Sequence, residues 1–240
     1  MRVASTIMQN SFGKYLELAI QDQEVIITRN GKDVVKLVPC GKGSFVAESG
    51  AAYIPTEKPG VSYEEFLKLV KDSDIRYELI DGEVFVMESP VYQHQVARDE
   101  IFGHFYNWFK GKSCRPVTSP FDVTLFKTSL NINVVQPDIL VMCDKENVDE
   151  KGKYKGVPVL LVEVLSASNR RHDMLRKLDL YLNTGIREYW IADPQRKEVH
   201  VHCFESSEIA DYYVYVKNDV VRSKVFEGLE IPLEEIFPDM

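Results

Sequence analysis

The sequence predicts a mixed α/β (α+β) fold: a mixed β-sheet flanked by helices, preceded by a small helix-plus-hairpin unit. Two near-continuous apolar runs, at 134–143 and 157–165, are typical of strands that are covered on both faces. Amphipathic helix patterns alternate with strand patterns along most of the chain, which favours a sheet with helices packed against it. Near the start, an Asn30-Gly31 pair between two β-rich runs indicates a hairpin.

Composition indicates an ordinary soluble protein. Apolar residues make up 45% of the 240 residues and charged residues 28%. We find neither a signal peptide nor an apolar run near the roughly 18 residues that a membrane-spanning helix needs, so we expect a cytoplasmic protein without a membrane partner. The four cysteines are scattered and lack C-x-x-C spacing. We therefore expect reduced thiols rather than disulfides or a zinc site.

Charge is distributed unevenly along the chain. Residues 1–43 contain six Lys/Arg and four Asp/Glu, a net charge of +2. Because the whole chain carries −8, the remainder carries −10. An acidic body does not suit tight binding of nucleic acid over a broad surface. It does suit a catalytic domain whose local site is made attractive to phosphate by metal ions.

The chain is predicted to have three parts. Residues 1–43 form a small module, residues 44–61 a Gly- and Pro-containing linker, and residues 62–240 the main domain. The module is a helix at about 11–20 followed by the first hairpin. Because so short a unit cannot bury a core of its own, we expect it to pair with a second copy in a homodimer.

The elements of the main domain follow from local signals. Ser62 and Glu65 form a capping box that begins a helix, Asp81-Gly82 marks a second hairpin, and a long helix occupies about 91–110. Strands are predicted at 115–126, 136–143, 158–165, 187–193 and 198–204, a helix at 171–183, and a terminal hairpin from 212–217 and 220–226. His200 and His202 share one strand face and have no evident third metal ligand, so we interpret them as structural.

Asp138 and Glu163 are the acids that interrupt the two apolar runs. A buried carboxylate costs several kcal/mol, as an order of magnitude, unless it is paired, neutralised or bound to a cation. Two such acids on neighbouring strands could share one Mg²⁺, which prefers oxygen ligands and usually binds one or two carboxylates. The alternative is that each acid lies at a strand end and meets only an arginine or a backbone amide.

Pro137-Asp138, followed some two dozen residues later by Glu163-Val164-Leu165, resembles the PD-(D/E)xK nuclease motif. The surrounding residues resemble the Uma-type restriction endonuclease family, in the order 77–83, 89–94, 137–141, 162–168, 173–181 and 185–194. The resemblance implies a metal-dependent endodeoxyribonuclease. Asp138 and Glu163 would hold Mg²⁺, for which Mn²⁺ can substitute, and the metal would activate water for attack on a DNA phosphodiester.

One position departs from that pattern. The lysine expected two residues after Glu163 is Leu165, which can neither orient water nor stabilise negative charge. We predict that Lys177, on the following helix, takes its place; the alternative is a solvated lysine paired with Asp173. If no residue replaces the missing lysine, the chain is a non-catalytic DNA-binding or regulatory protein that uses a decayed nuclease fold as its scaffold.

Two further residues are candidates for the site. Glu78, in the second hairpin, is a candidate auxiliary acid, and the alternative is an ordinary hairpin charge. His94, at the start of the long helix, could bind the scissile phosphate or act in acid–base chemistry. The alternative for His94 is a helix-start residue with no task in catalysis.

The first segment resembles the Phd/YefM antitoxin family. The matching residues are the helix at 11–20 and the hairpin residues 24–32 and 34–39. The resemblance implies dimerisation and contact with operator DNA, for which Arg2 and Lys14 are the basic candidates; the alternative is that both are solvated surface charges. The toxin-binding tail of that family is replaced by the main domain, so the sequence does not indicate whether a toxin partner exists.

Overall fold

The computed structural model describes residues 2–10, 12–20, 24–29, 31–37, 60–87, 89–166 and 172–238. Contacts between Cα atoms divide the chain into two compact units, 1–57 and 58–240. Most of the predicted linker lies outside the described residues.

The first unit contains β1 (Arg2–Ala4), α1 (Ser5–Asn10), α2 (Phe12–Ile20), β2 (Val25–Arg29) and β3 (Lys32–Leu37). The predicted hairpin is present and turns at Gly31, whose φ of +75° suits glycine. β1, which was not predicted, pairs in parallel with β2 of this hairpin. The unit buries a small apolar cluster that includes Tyr15 and Val25, so it has more internal packing than its length suggested.

The second unit begins with α3 (Tyr63–Val70), β4 (Tyr77–Ile80), β5 (Glu83–Val86), α4 (Tyr92–Phe109), β6 (Arg115–Thr118), β7 (Val123–Phe126), β8 (Ile132–Val135), β9 (Ile139–Met142) and β10 (Leu160–Val164). It continues with α5 (His172–Leu182), β11 (Glu188–Asp193), β12 (Glu198–Glu205), β13 (Glu208–Val216), β14 (Val220–Arg222), β15 (Glu230–Pro232) and α6 (Leu233–Ile236). The capping box at Ser62 and the hairpin at Asp81-Gly82 are present as predicted.

A mixed six-stranded sheet forms the centre of this unit. Its strand order is β13-β12-β11-β10-β9-β6, and within it only the β10–β11 pair is parallel. A four-stranded antiparallel sheet has the order β5-β4-β8-β7. The chain passes from the second sheet to the first between β8 and β9, which is where Asp138 lies.

Apolar clusters cover both faces of the six-stranded sheet. On one face, α4 contributes Ile101 and Phe105, which belong to the same cluster as Val162 of β10. On the other face, α5 contributes Leu180, which belongs to the same cluster as Leu161. Every residue of β10 is buried, which explains its near-continuous apolar sequence.

Two strand predictions need correction. The strand expected at 115–126 is two strands, β6 and β7, which belong to different sheets. The terminal hairpin was wrong: β13 pairs with β12 across a turn at Ser206-Ser207, while β14 pairs with β15.

The prediction for the cysteines was also wrong in part. Cys114 and Cys143 form a disulfide with their Cα atoms 4.0 Å apart. They extend the β6–β9 register by one step beyond the Arg115–Met142 pair, so the strand pairing brings them together. Cys203 is a free, buried thiol, and Cys40 lies outside the described residues. Among the helices of the described residues, none has the length and apolarity needed to cross a membrane.

Candidate active site

The register of β9 against β10 determines where the two predicted acids lie. Its last matched pair is Ile139 with Val162, so the next step along the register sets Asp138 opposite Glu163. The two acids therefore occupy the same end of neighbouring strands.

Asp138 is held by two donors on one oxygen. Its Oδ2 accepts a hydrogen bond of 2.8 Å from the backbone amide of Val164 and lies 3.1 Å from Nε2 of His94. The Asp138 side chain is 15% exposed, and that of His94 is 8% exposed. The carboxylate is thus fixed in orientation, largely buried, just before the start of β9.

Glu163 lies on β10 and faces α5. Its Oε1 accepts hydrogen bonds from Lys177 Nζ at 3.0 Å and from the Tyr181 hydroxyl at 2.8 Å. Lys177 and Tyr181 are four residues apart on α5 and so lie on the same face of that helix. Burial, and next the nearby Glu163 charge, hold the pKa of Tyr181 well above its ordinary value, so its hydroxyl remains a donor.

Glu78 of β4 completes this group. Lys177 Nζ lies 3.2 Å from Glu78 Oε1, and the same oxygen accepts a 2.8 Å hydrogen bond from the backbone amide of Gln136. The exposed fractions are 4% for Glu78, 5% for Lys177 and 9% for Glu163. A buried ammonium therefore bridges two buried carboxylates from different sheets, an arrangement that is stable only while both partners remain in place.

The carboxylate oxygens of Asp138 and Glu163 are ligands of the kind that a divalent cation prefers. Within the described ranges, no group of three or more His, Cys, Asp or Glu side chains is arranged to hold a metal by itself. Two carboxylates are nevertheless sufficient for Mg²⁺, which retains several waters and takes further oxygen ligands from a phosphate. Glu78 and Glu163 contact one lysine, Lys177, while Asp138 contacts His94 and a backbone amide, so the three acids outnumber the lysine, and this excess of negative charge favours a cation.

Leu165 occupies the strand position where the motif would have lysine. It is half-buried and packs against the apolar cluster on the α5 face of the sheet. Lys177 approaches Glu163 from the helix, with its Nζ 3.0 Å from Glu163 Oε1. The alternative pairing with Asp173 concerns a side chain outside the described residues.

Gln136 and Asp122 were missed by the sequence interpretation. Gln136 Nε2 donates a 2.8 Å hydrogen bond to Asp122 Oδ1, and Asp122 Oδ2 lies 3.1 Å from Lys153 Nζ. A chain of polar contacts thus runs from Lys153 to Glu78. Gln136 alone could have been singled out, as a polar residue in an apolar run, but no local signal indicates its partner Asp122.

The remaining predicted residues lie elsewhere. In the first unit, Arg2 forms an exposed ion pair with Asp33 at 3.0 Å, and Lys14 lies 6.0 Å from the ring centre of Tyr15. His200 contacts the Tyr212 hydroxyl and the carboxylate of Glu198. The ring of His202 packs 4.6 Å from that of Tyr212.

Comparisons with known proteins place this geometry in context. A family model described as "Uma2: Putative restriction endonuclease" matches residues 63–234. A crystal structure of a "putative nuclease belonging to DUF820" from Anabaena variabilis superposes with a TM-score of 0.62 at 19% identity, covering 74% of this chain and 97% of that chain. That likeness shows a shared, nuclease-like fold. Among curated proteins, none is similar enough to count as a match.

Proposed function

The chain belongs to the Uma2 restriction endonuclease family, and on that premise we propose that it hydrolyses phosphodiester bonds in DNA with the help of a divalent metal ion. The contact of Lys177 Nζ with both Glu78 and Glu163 is the observation that supports this proposal most strongly. Lys177 places a buried positive charge beside Glu163, the second acid of the motif. The strand position at which the motif has its lysine is occupied by Leu165.

Asp138 and Glu163 hold Mg²⁺ in this proposal, and Mn²⁺ substitutes for it. When bound, the ion polarises the phosphate and lowers the pKa of an attacking water. Lys177 holds Glu163 in position and stabilises negative charge that develops on the phosphate. Glu78 holds the lysine from its other side, and His94 fixes the Asp138 carboxylate.

Cleavage of supercoiled plasmid DNA tests the proposal. Wild-type protein is expected to nick or linearise the plasmid with Mg²⁺ or Mn²⁺ and to be inactive in EDTA. Asp138→Asn and Glu163→Gln are expected to abolish cleavage, and Lys177→Met to reduce it at least about a hundredfold. Glu150→Gln, at an exposed position, is the matched control and should cleave as wild type. Metal-dependent cleavage that survives loss of both acids would overturn the proposal.

Leu165 favours a second candidate function. A chain that lacks the strand lysine could bind DNA without cutting it, with the nuclease fold as a scaffold. Mn²⁺ binding distinguishes the two candidates, because a catalytic site takes up Mn²⁺ and loses it in Asp138→Asn. A scaffold would bind DNA with the same affinity in the presence and absence of metal.

For the first unit we propose an antitoxin-like role in DNA binding and dimerisation. The support is its hairpin, its exposed Arg2, and two exposed valines on β3, Val34 and Val35, which are 52% and 51% exposed. Val35→Glu in the full-length chain should reduce the dimer fraction in analytical ultracentrifugation. Val91→Glu, at an exposed apolar position of the second unit, should not. An unchanged mass distribution in Val35→Glu would contradict dimerisation through β3.

DNA contact by the first unit has its own test. Arg2→Gln and Lys14→Gln should each weaken DNA binding and lower the slope of log affinity against log salt by about one, since each removes one phosphate contact. Lys110→Gln, an exposed lysine of the second unit, is the control. An unchanged salt slope in both variants would assign the two cations to the solvated surface.

A further inference from the structure

Gln136 is a buried amide beside the acids of the candidate site. It directly precedes Pro137-Asp138 and is 8% exposed. Its backbone amide donates to Glu78 Oε1 and its side-chain Nε2 donates to Asp122 Oδ1, each at 2.8 Å. Its carbonyl oxygen, Oε1, is buried and has no hydrogen-bond partner among the described residues.

Asp122 fixes which end of the Gln136 amide faces which way. A carboxylate accepts hydrogen bonds and cannot donate them, so the NH₂ group must be the end that faces Asp122. Lys153 lies 3.1 Å from the other oxygen of Asp122 and keeps it charged and oriented. The carbonyl end of Gln136 is thereby directed away from Asp122, and rotating the amide would bring two acceptors together.

A buried carbonyl without a donor costs about 1–3 kcal/mol, so a group of this kind in a folded protein calls for an explanation. The side chain that accepts from the Gln136 amide, Glu78, is itself an acceptor. Asp122, at the NH₂ end of the amide, is an acceptor too, so neither of these side chains can supply the missing donor. Waters that surround a cation meet this need, because their lone pairs are directed to the ion and their hydrogens point outward.

We infer that the Gln136 carbonyl oxygen binds the hydration shell of the divalent cation, with Asp122 and Lys153 as its positioning residues. The inference rests on the proposed function, since it requires that a cation bind at Asp138 and Glu163. It adds a neutral oxygen from the end of β8 to a site otherwise built from charged groups, and it gives the contacts from Lys153 to Glu78 a role in metal binding.

Binding of Mn²⁺ to the full-length chain tests this inference, with free Mn²⁺ measured by electron paramagnetic resonance. Gln136→Met keeps the length of the side chain and removes the acceptor, so it should weaken Mn²⁺ binding about tenfold. The double variant Asp122→Asn with Gln136→Glu reverses the hydrogen bond and retains an acceptor. It should bind Mn²⁺ at least as tightly as wild type.

The outcomes separate this inference from the proposed function. Wild-type affinity in Gln136→Met, together with lost affinity in Asp138→Asn, would overturn the inference and leave the function standing. Undiminished affinity in Asp138→Asn would overturn the function itself. Should Gln136→Met fail to fold, judged by circular dichroism, the double variant decides, since a folded double variant that binds Mn²⁺ tenfold more weakly than wild type would also refute the inference.

Discussion

His94 Nε2 lies 3.1 Å from Asp138 Oδ2, so the first turn of α4 contacts the acid at the start of β9. The second donor to that oxygen is the Val164 amide. Both contacts involve Oδ2, and no described residue donates to Oδ1. The histidine therefore orients the carboxylate and leaves its other oxygen open to a ligand.

Replacing His94 should weaken metal binding and cleavage together. His94→Ala removes a donor that orients Asp138, and such losses reduce metal affinity or activity about 10- to 100-fold. His94→Gln retains a donor and should recover part of the loss. Mn²⁺ affinity and plasmid cleavage, measured in parallel, check this expectation. Wild-type values for both in His94→Ala would make the residue an ordinary helix start.

Lys127 is expected to position α5. Its Nζ lies 2.7 Å from Asp81 Oδ2 and 2.6 Å from Asp179 Oδ2, and so ties the hairpin turn to the helix that carries Lys177. Lys127→Met should lower kcat roughly tenfold with little change in KM, because misplacing a reacting group costs rate. The free energy of unfolding should fall by only about 1 kcal/mol or less, since both aspartates are partly exposed.

Arg222→Met is the control for Lys127, because it breaks an exposed ion pair with Glu230. The control should leave cleavage unchanged and alter stability to a similar small extent. Equal kcat values in Lys127→Met and wild type would show that α5 is held in place without this contact.

Glu188 is expected to be critical for stability. It is fully buried, and its Oε2 accepts hydrogen bonds from the Ser223 hydroxyl at 3.1 Å and from the amides of Lys224 and Val225 at 2.8 Å each. Glu188→Ala leaves these donors unpaired, so the free energy of unfolding should fall by about 3 kcal/mol or more in urea titrations.

Glu227→Ala, at an exposed position nearby, should change the free energy of unfolding by less than about 0.5 kcal/mol. If Glu188→Ala lost no more stability than this control, the three donors would have to find other partners.

Burial, and next the charge of His200, lowers the pKa of His202 to about 4. The unfolded chain protonates this residue near its ordinary pKa of about 6.5. Between these values the unfolded state binds more protons, so stability should fall as the pH drops from about 6.5 to about 4, by on the order of 1 to 3 kcal/mol. Urea titrations across this range should show a smaller loss in His202→Phe. Equal losses in both proteins would contradict the low pKa.

Local signals explain which elements the sequence predicts correctly. The Asp81-Gly82 hairpin turn was predicted because Asp and Gly tolerate positive φ values. In the structure these residues adopt φ values of +50° and +77°. The β12–β13 turn was missed because Ser206 and Ser207 adopt φ values of +52° and +60° without the usual Asn or Gly. No short-range pattern indicated that turn, so the wrong strands were paired.

In the candidate site, too, local signals indicated some residues and contacts and not others. Asp138 and Glu163 were predictable because a charge within an apolar run is visible locally. The contact of Lys177 with Glu163 was accessible because helix geometry projects residue 177 toward the preceding strand. The link from Gln136 to Asp122 was not predictable, because it joins residues that only the pairing of β7 with β8 brings together.

Leu165 directly follows β10 and packs against the apolar cluster on the α5 face of the sheet. Lys177, on the same face, is 5% exposed, so few water molecules surround its ammonium, the local dielectric is low, and dissolved ions screen its attraction to Glu163 only weakly. Exposed cations such as Arg2 have no such shielding. Rising ionic strength should therefore release the protein from DNA at salt concentrations far below those that disturb the ion pair of Lys177 with Glu163.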